Sequence, residues 1–213
     1  MSTVYKRFGK RLFDLLAFLP LAIVAFPIII LASLLSYCFL GPPVLFAQLR
    51  AGRDGRPFLL FKFRSMTNAR DARGELLPDA KRLTFYGHFL RTTSLDELPS
   101  LWNLLRGEIS LVGPRPLPVR YLQRYSPRHM LRHTVKPGIT GWAQVNGRNA
   151  LDWEQKFELD VWYTEHLSLP LDLKILWMTI FKVIARDGIN QRDHVTMPEF
   201  IGVSPTDMKD GAS

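Results

Sequence analysis

LFDLLAFLPLAIVAFPIIILASLLSYCFL, residues 12–40, is apolar apart from Asp14 and a few small polar side chains. As one straight helix it would extend about 43 Å, more than the roughly 30 Å of a bilayer's hydrocarbon core. Both flanks are basic, with Lys6, Arg7, Lys10 and Arg11 before the run and Arg50, Arg53, Arg56, Lys62 and Arg64 after it. The positive-inside bias therefore places both ends on the cytoplasmic side. Pro20 and Pro27 each remove a helical hydrogen bond, and at a spacing of seven residues their bends fall on nearly the same face and add. The pattern predicts a re-entrant helical hairpin that dips into one leaflet and returns, with Pro27 at the membrane break. A tilted single span is the alternative. A cleaved signal peptide fits poorly, because the run is long and no small-x-small site follows it.

The remainder of the 213 residues is enough for one ordinary domain. The division expected is a membrane segment over 1–40, a cytosolic domain at the membrane interface over 41–202, and a tail over 203–213. There are 28 Lys+Arg against 19 Asp+Glu, a formal net charge of +9 in a chain that is 47% hydrophobic. That combination suits an anionic membrane surface or phosphate-bearing ligands. It would also suit nucleic acid, but no helix-turn-helix, finger or RNP-type aromatic motif accompanies it, so nucleic acid is not expected as a partner. The single cysteine, Cys38, lies in the apolar run and excludes a disulfide framework or a Cys-based zinc site. The five histidines show no metal-ligand spacing.

Gly41-Pro42-Pro43 stops the apolar helix. Val44 to Leu49 and Pro57 to Arg64 then read as two strands of a hairpin around Ala51-Gly52-Arg53-Asp54-Gly55, with Lys62 and Arg64 on one face and Phe61 and Phe63 on the other. Helical spacing follows over Lys81–Arg91, Glu97–Arg106 (closed by Gly107), Leu151–His166 and Leu171–Arg186, the last apolar enough to lie flat on a membrane. Tyr121–His133 reads as a basic amphipathic helix. Ser110–Pro118 and the Gly-rich Lys136–Asn149 read as loops. The fold class expected is α/β and membrane-associated: a mainly helical catalytic domain with a small β-hairpin and interfacial amphipathic helices.

The segment Arg91-Thr92-Thr93-Ser94-Leu95-Asp96-Glu97-Leu98-Pro99 sets two adjacent carboxylates at a helix start. One reading is purely structural. Ser94 with Glu97 three residues on forms a capping box, or Asp96 is itself the cap, since Pro99 sits deep for a helix that begins at Ser94. The other reading is chemical. Amides at a helix N-terminus attract phosphate, their field keeps a carboxylate ionised, and an ionised Asp can attack phosphorus with a divalent cation to screen the two anions. Mg²⁺ suits that task, because it takes one or two carboxylates plus phosphate oxygens. Downstream, Arg115 is held between Pro114 and Pro116, where its guanidinium can grip a phosphate. Gly138, Gly141, Trp142, Gln144, Asn146, Gly147 and Arg148 offer backbone approach, an aromatic face and polar donors suited to a nucleotide or sugar.

The ordered blocks KRLFDLLA, QLRAGRDGRPFLLFKFRSM, SLDELPSLWNLLRGEISLVGPRP and KPGITGWAQVNGRN resemble the bacterial sugar transferases, the monotopic phosphoglycosyl transferases, over about Tyr5 to Phe200. The resemblance implies transfer of a sugar 1-phosphate from a UDP-sugar to undecaprenyl phosphate at the cytoplasmic face of the bacterial inner membrane, among inner-membrane lipids, with release of UMP. It implies Asp96 as nucleophile, Glu97 as Mg²⁺ ligand beside it, and Lys62, Arg91, Arg115 and Asp160 around the phosphates or metal. Chain length and the closing stretch through Phe157–Asp160 and His194-Val195-Thr196 look most like the small members that transfer phospho-N,N'-diacetylbacillosamine. The family's Ser-Pro pair at the membrane break is Phe26-Pro27 here. A basic membrane-anchored scaffold, in which Asp96 and Glu97 merely cap a helix, is the competing class.

Overall fold

The computed structural model describes residues 4–147, 151–184 and 199–202; Arg148, Arg186, the His194–Thr196 stretch and the tail 203–213 lie outside the described residues. After a π-helical turn at Tyr5–Gly9, a single helix α1 runs from Lys10 to Leu40 with Pro20 and Pro27 inside it. Helical hydrogen bonding continues through both prolines, with no loop between two arms. Most of α1 is bare: Leu12, Leu16, Leu19, Ile23, Phe26, Leu31 and Leu34 are all exposed. The buried positions are Asp14, Ala25, Ala32 and Ser36, a narrow stripe of small or polar side chains that lets the helix backbone come close to the rest of the chain.

Both ends of α1 are fastened to the same body. Near its start, Asp14 is 1% exposed and accepts hydrogen bonds from Ser110 Oγ (2.8 Å) and the Leu111 amide (3.1 Å). One turn earlier, Lys10 Nζ and Tyr5 Oη both donate to Asp172 Oδ2 at 2.6 Å, while Tyr163 Oη donates to its other oxygen at 2.7 Å. Near its end, Tyr86 Oη donates to the Ala32 carbonyl at 2.9 Å, and the Arg64 guanidinium caps the carbonyls of Leu40 and Gly41. An orphan helix C-terminus with a guanidinium on it is satisfied in both hydrogen bonding and charge.

Strands β1 (Leu45–Ala51) and β2 (Pro57–Phe63) form the antiparallel hairpin, with Leu49 facing Leu59 and Phe46 facing Lys62. The period-2 alternation puts Phe58, Leu60 and Lys62 on the inner face, the first two in the main core. Short helices α2 (Asp79–Arg82) and α3 (Phe85–Thr92) follow, then a 3₁₀ turn at Leu95–Ser100 and α4 (Leu101–Arg106). Gly107 ends α4 at φ +76°, the left-handed C-terminal stop that its position suggests.

Two segments read as loops contain a sheet. Strands β3 (Ser110–Val112) and β4 (Gly138–Thr140) pair in parallel, Ser110 with Gly138 and Val112 with Thr140. Three-residue strands give no usable periodicity, so tertiary pairing decides them. A Cβ on Gly138 would lie 2.1 Å from the Gly113 amide nitrogen, so only glycine allows this approach. The helix expected over Tyr121–His133 is broken into a 3₁₀ turn (Val119–Arg124), α5 (Pro127–Met130, capped by Ser126) and a second 3₁₀ turn (Leu131–Thr134). Pro127 lacks the amide that a continuous helix would use and forces residue 126 out of helical geometry. After α6 (Trp142–Val145), α7 (Trp153–His166) begins at an Asp152/Gln155 capping box, and α8 (Leu169–Ile184) closes the described core.

Candidate active site

Ser94, at φ 57° in the left-handed region, turns the chain sharply out of α3, and its side chain makes no cap bond. The Ser94 capping box is therefore absent, and Asp96 and Glu97 belong to the 3₁₀ turn, one and a half turns ahead of α4. A serine in this conformation is strained by roughly 1 kcal/mol, a cost of the kind met where a site dictates the backbone. The turn is clamped to β2 by Asn103. Its amide donates to the Leu59 carbonyl and to Glu108 Oε2, each at 2.6 Å, and accepts from the Phe61 amide at 3.1 Å. Asn103 is fully buried; a lone polar residue in the apolar run LWNLL was its signal in the sequence.

This clamp sets Glu97 against Lys62. Lys62 Nζ donates to Glu97 Oε1 at 2.7 Å, and Arg115 Nη2 donates to the same oxygen at 2.8 Å. Burial works to raise the proton affinity of Glu97, but Arg115 and Lys62 outweigh it and hold the carboxyl well below the usual range. Asp96 goes the other way. Burial first, and the Glu97 charge second, push it up to about 6, against the opposing pull of Lys62, Arg115 and Arg91. The expectation that helix amides keep Asp96 ionised is corrected here: among the described residues, none donates a hydrogen bond to its carboxylate, because a 3₁₀ turn bent by Ser94 does not aim a row of amides at it.

Lys62 and Arg115 thus meet at Glu97, and the Arg91 charge acts on Asp96 while its Nε donates to Ser65 Oγ at 2.9 Å. Asp160 does not join them. It is buried against Arg132, whose Nη2 and Nε donate to Oδ2 at 2.7 and 3.1 Å. Arg132 Nη2 also donates to the Arg115 carbonyl at 2.8 Å, so Asp160 bears on the site through Arg132 and the backbone that carries Arg115. Replacing Asp160 by Asn should leave the enclosed Arg132 uncompensated and cost about 3–5 kcal/mol of stability, measurable by denaturant unfolding in detergent. Arg132 carried no sequence signal beyond its charge. The aromatic face expected of Trp142 is taken up: the ring stacks on Trp162 with centroids 5.1 Å apart, and Lys174 lies over it.

Beside the pair is a cleft lined by Arg50, Lys62, Glu97, Arg115, Gly138 and Ile139, so the parallel β3–β4 junction forms one of its walls. The donor set also bears on a metal. Glu97 Oε1 is occupied by two cations, while Glu97 Oε2 and the Asp96 carboxylate accept no hydrogen bond from the described residues. Two adjacent hard oxygens with open neighbours match the needs of Mg²⁺, which takes one or two carboxylates and completes its shell with substrate oxygens and water.

Known proteins are similar in sequence to this chain. It is 53% identical over 193 residues, 91% of this chain and 96% of the relative, to the uncharacterized sugar transferase EpsL of Bacillus subtilis. It is 42% identical to the UDP-galactose-lipid carrier transferase of Erwinia amylovora, over 85% of this chain and 42% of that protein. It is 42% identical to the UDP-glucose:undecaprenyl-phosphate glucose-1-phosphate transferase of Klebsiella pneumoniae, over 81% of this chain and 39% of that protein. The chain thus spans about two-fifths of the larger relatives and nearly all of EpsL. With residues 5–186 matching the family as a whole, the chain belongs to the bacterial sugar transferases.

Proposed function

We propose that this protein transfers a sugar 1-phosphate from a UDP-sugar to undecaprenyl phosphate through a covalent intermediate on Asp96. The observation that carries the reading is the pairing of a bare, half-buried Asp96 carboxylate with a Glu97 held ionised by Lys62 and Arg115. In the first step an Asp96 oxygen attacks the sugar-bearing phosphorus, and the bond to the bridging oxygen breaks to release UMP. In the second, an oxygen of the lipid phosphate attacks that phosphorus, the bond to Asp96 breaks, and the carboxylate is restored as the lipid diphosphosugar leaves. Lys62, Arg91 and Arg115 neutralise phosphate charge during both displacements. Asp96 and Glu97 would hold Mg²⁺, which when bound screens the repulsion between carboxylate and diphosphate.

The donors named for the relatives above are UDP-galactose and UDP-glucose, which favours a UDP-hexose over the N,N'-diacetylbacillosamine donor suggested by chain length. Trapping with a panel of labelled UDP-sugars, followed by mass analysis of the Asp96 peptide, tests donor and intermediate together. Absence of any adduct on Asp96 while UMP is released would overturn the covalent reading.

The anchor is read as re-entrant, with both termini cytoplasmic. A helix that crossed a roughly 30 Å hydrocarbon core would carry one end far from a domain on the other side. Here Asp14 and Arg11 near one end, and Ala32 and the Leu40 carbonyl at the other, bond to the same body. The exposed apolar side chains of α1, with Phe85 of α3, Trp102 of α4 and Trp177 and Phe181 of α8, suit lipid contact at the inner membrane.

The Asp96 shift gives a pH signature. The nucleophile must be ionised, so kcat/KM should fall about tenfold per pH unit below a midpoint near 6. In stability the sign is opposite. A carboxyl whose native value lies above its unfolded value favours the fold below the unfolded value of 3.8, and that contribution is lost as pH rises through about 6. A pH–rate profile at fixed Mg²⁺ checks the first statement.

A further inference from the structure

Arg50, on the inner face of β1, lines the cleft with Lys62, Glu97 and Arg115. Among the described residues its enclosed Nε has no hydrogen-bond partner, and its Nη2 donates to the neutral amide oxygen of Gln48. The backbone fixes it there: Ala51 N donates to the Leu117 carbonyl at 2.9 Å, and Arg50 bridges to Pro118, so β1 is pinned to the loop that carries Arg115.

Arg132 has the Asp160 carboxylate. Arg64, whose Nε is also without a partner among the described residues, donates to the C-terminal carbonyls of α1, away from the cleft that Arg50 lines. Among the described residues no carboxylate bonds to Arg50; Lys62 and Arg115, its neighbours in the cleft, both bond to Glu97 Oε1. Burial first, and the Arg115 charge second, lower its proton affinity to about 10 against the opposing pull of Glu97. A desolvated cation without a counter-charge is costly enough that protein interiors rarely hold one. A guanidinium is also a geometric match to phosphate oxygens.

We propose that Arg50 is a phosphate-binding residue of the cleft, its missing counter-charge being a phosphate monoester of a reaction partner. This rests on the phosphate-transfer reading above. In two successive in-line displacements at one phosphorus, the acceptor enters from the side where the nucleotide left. One position beside Asp96 therefore receives first the phosphate of UMP and then that of the lipid, and Arg50 serves both.

The test uses the full chain in detergent micelles and needs no turnover. UMP, and separately a short-chain polyprenyl phosphate, are titrated calorimetrically into wild type, Arg50→Gln and Arg50→Lys, and melting temperatures are recorded without ligand. Arg50→Gln should weaken both ligands at least tenfold and Arg50→Lys by less, with an unchanged or raised melting temperature because an uncompensated buried charge has gone. Weakening confined to one ligand assigns Arg50 to that partner and still supports a phosphate site. Affinities within twofold of wild type for both ligands, in either variant that folds, overturn the proposal, as does a lowered melting temperature with unchanged binding by the folded protein. If Arg50-dependent UMP binding is found but wild type releases no UMP from any UDP-sugar, the transfer reading fails and the site stands.

Discussion

Asp96→Asn should abolish turnover, lowering UMP release by at least about ten-thousandfold, the scale on which removal of a covalent nucleophile acts. The amide is nearly the same size but a far poorer nucleophile, and it cannot carry the phosphosugar as an acyl phosphate. The fold should survive. Among the described residues nothing hydrogen-bonds to the Asp96 carboxylate, and burial and Glu97 both disfavour its charge, so an uncharged amide relieves the site. The variant is expected to melt at or above the wild-type temperature while failing to form a labelled adduct. Wild-type UMP release by Asp96→Asn would remove the nucleophile from the mechanism. A loss of stability of about 1 kcal/mol with no change in any activity would instead fit a helix cap.

Glu97→Gln comes next in size, with an expected loss of about a thousandfold in kcat/KM, comparable to removing a key electrostatic group from an active site. Three effects combine. Lys62 and Arg115 lose the negative charge that both of them grip, at 2.7 and 2.8 Å, and are held only by a neutral amide oxygen. One of two hard oxygens for Mg²⁺ is gone, so half-maximal activity should require more of it. The like charge that helps raise Asp96 also disappears, leaving the nucleophile among cations. The acid limb of the pH–rate profile should therefore move from about 6 to lower pH even as the maximum rate collapses. A limb that stays in place would mean that Glu97 does not set the Asp96 proton affinity. Unchanged Mg²⁺ dependence would take Glu97 out of the metal site.

The hairpin, α7 and the stop at Gly107 were legible because local physics decides them: alternation on a pleated strand, helical spacing up to His166, and a left-handed glycine. The pairing β3–β4 was not, since three-residue strands joined in parallel across more than twenty residues leave no periodic trace. Among site residues, Asp96, Glu97, Lys62, Arg91 and Arg115 could be chosen from ordered motifs. Asn103 and Arg132 act through burial, and Arg50 stands out only through its enclosure without a counter-charge. A sequence shows a charge but not whether its partner is present.

What residues 1–213 determined by themselves was a long proline-bearing apolar helix between basic flanks, a domain rich in cations for phosphate, and an acidic pair suited to phosphoryl chemistry. Those properties are local or compositional, and they persist whatever the chain packs against. Only the tertiary structure decided that Asp14 and Tyr86 tie both ends of α1 to one body, that Asp160 belongs to Arg132, and that Glu97 rather than Asp96 takes the cations. Proton affinity and ion pairing depend on distance and desolvation between residues far apart in the chain, and folding alone sets both.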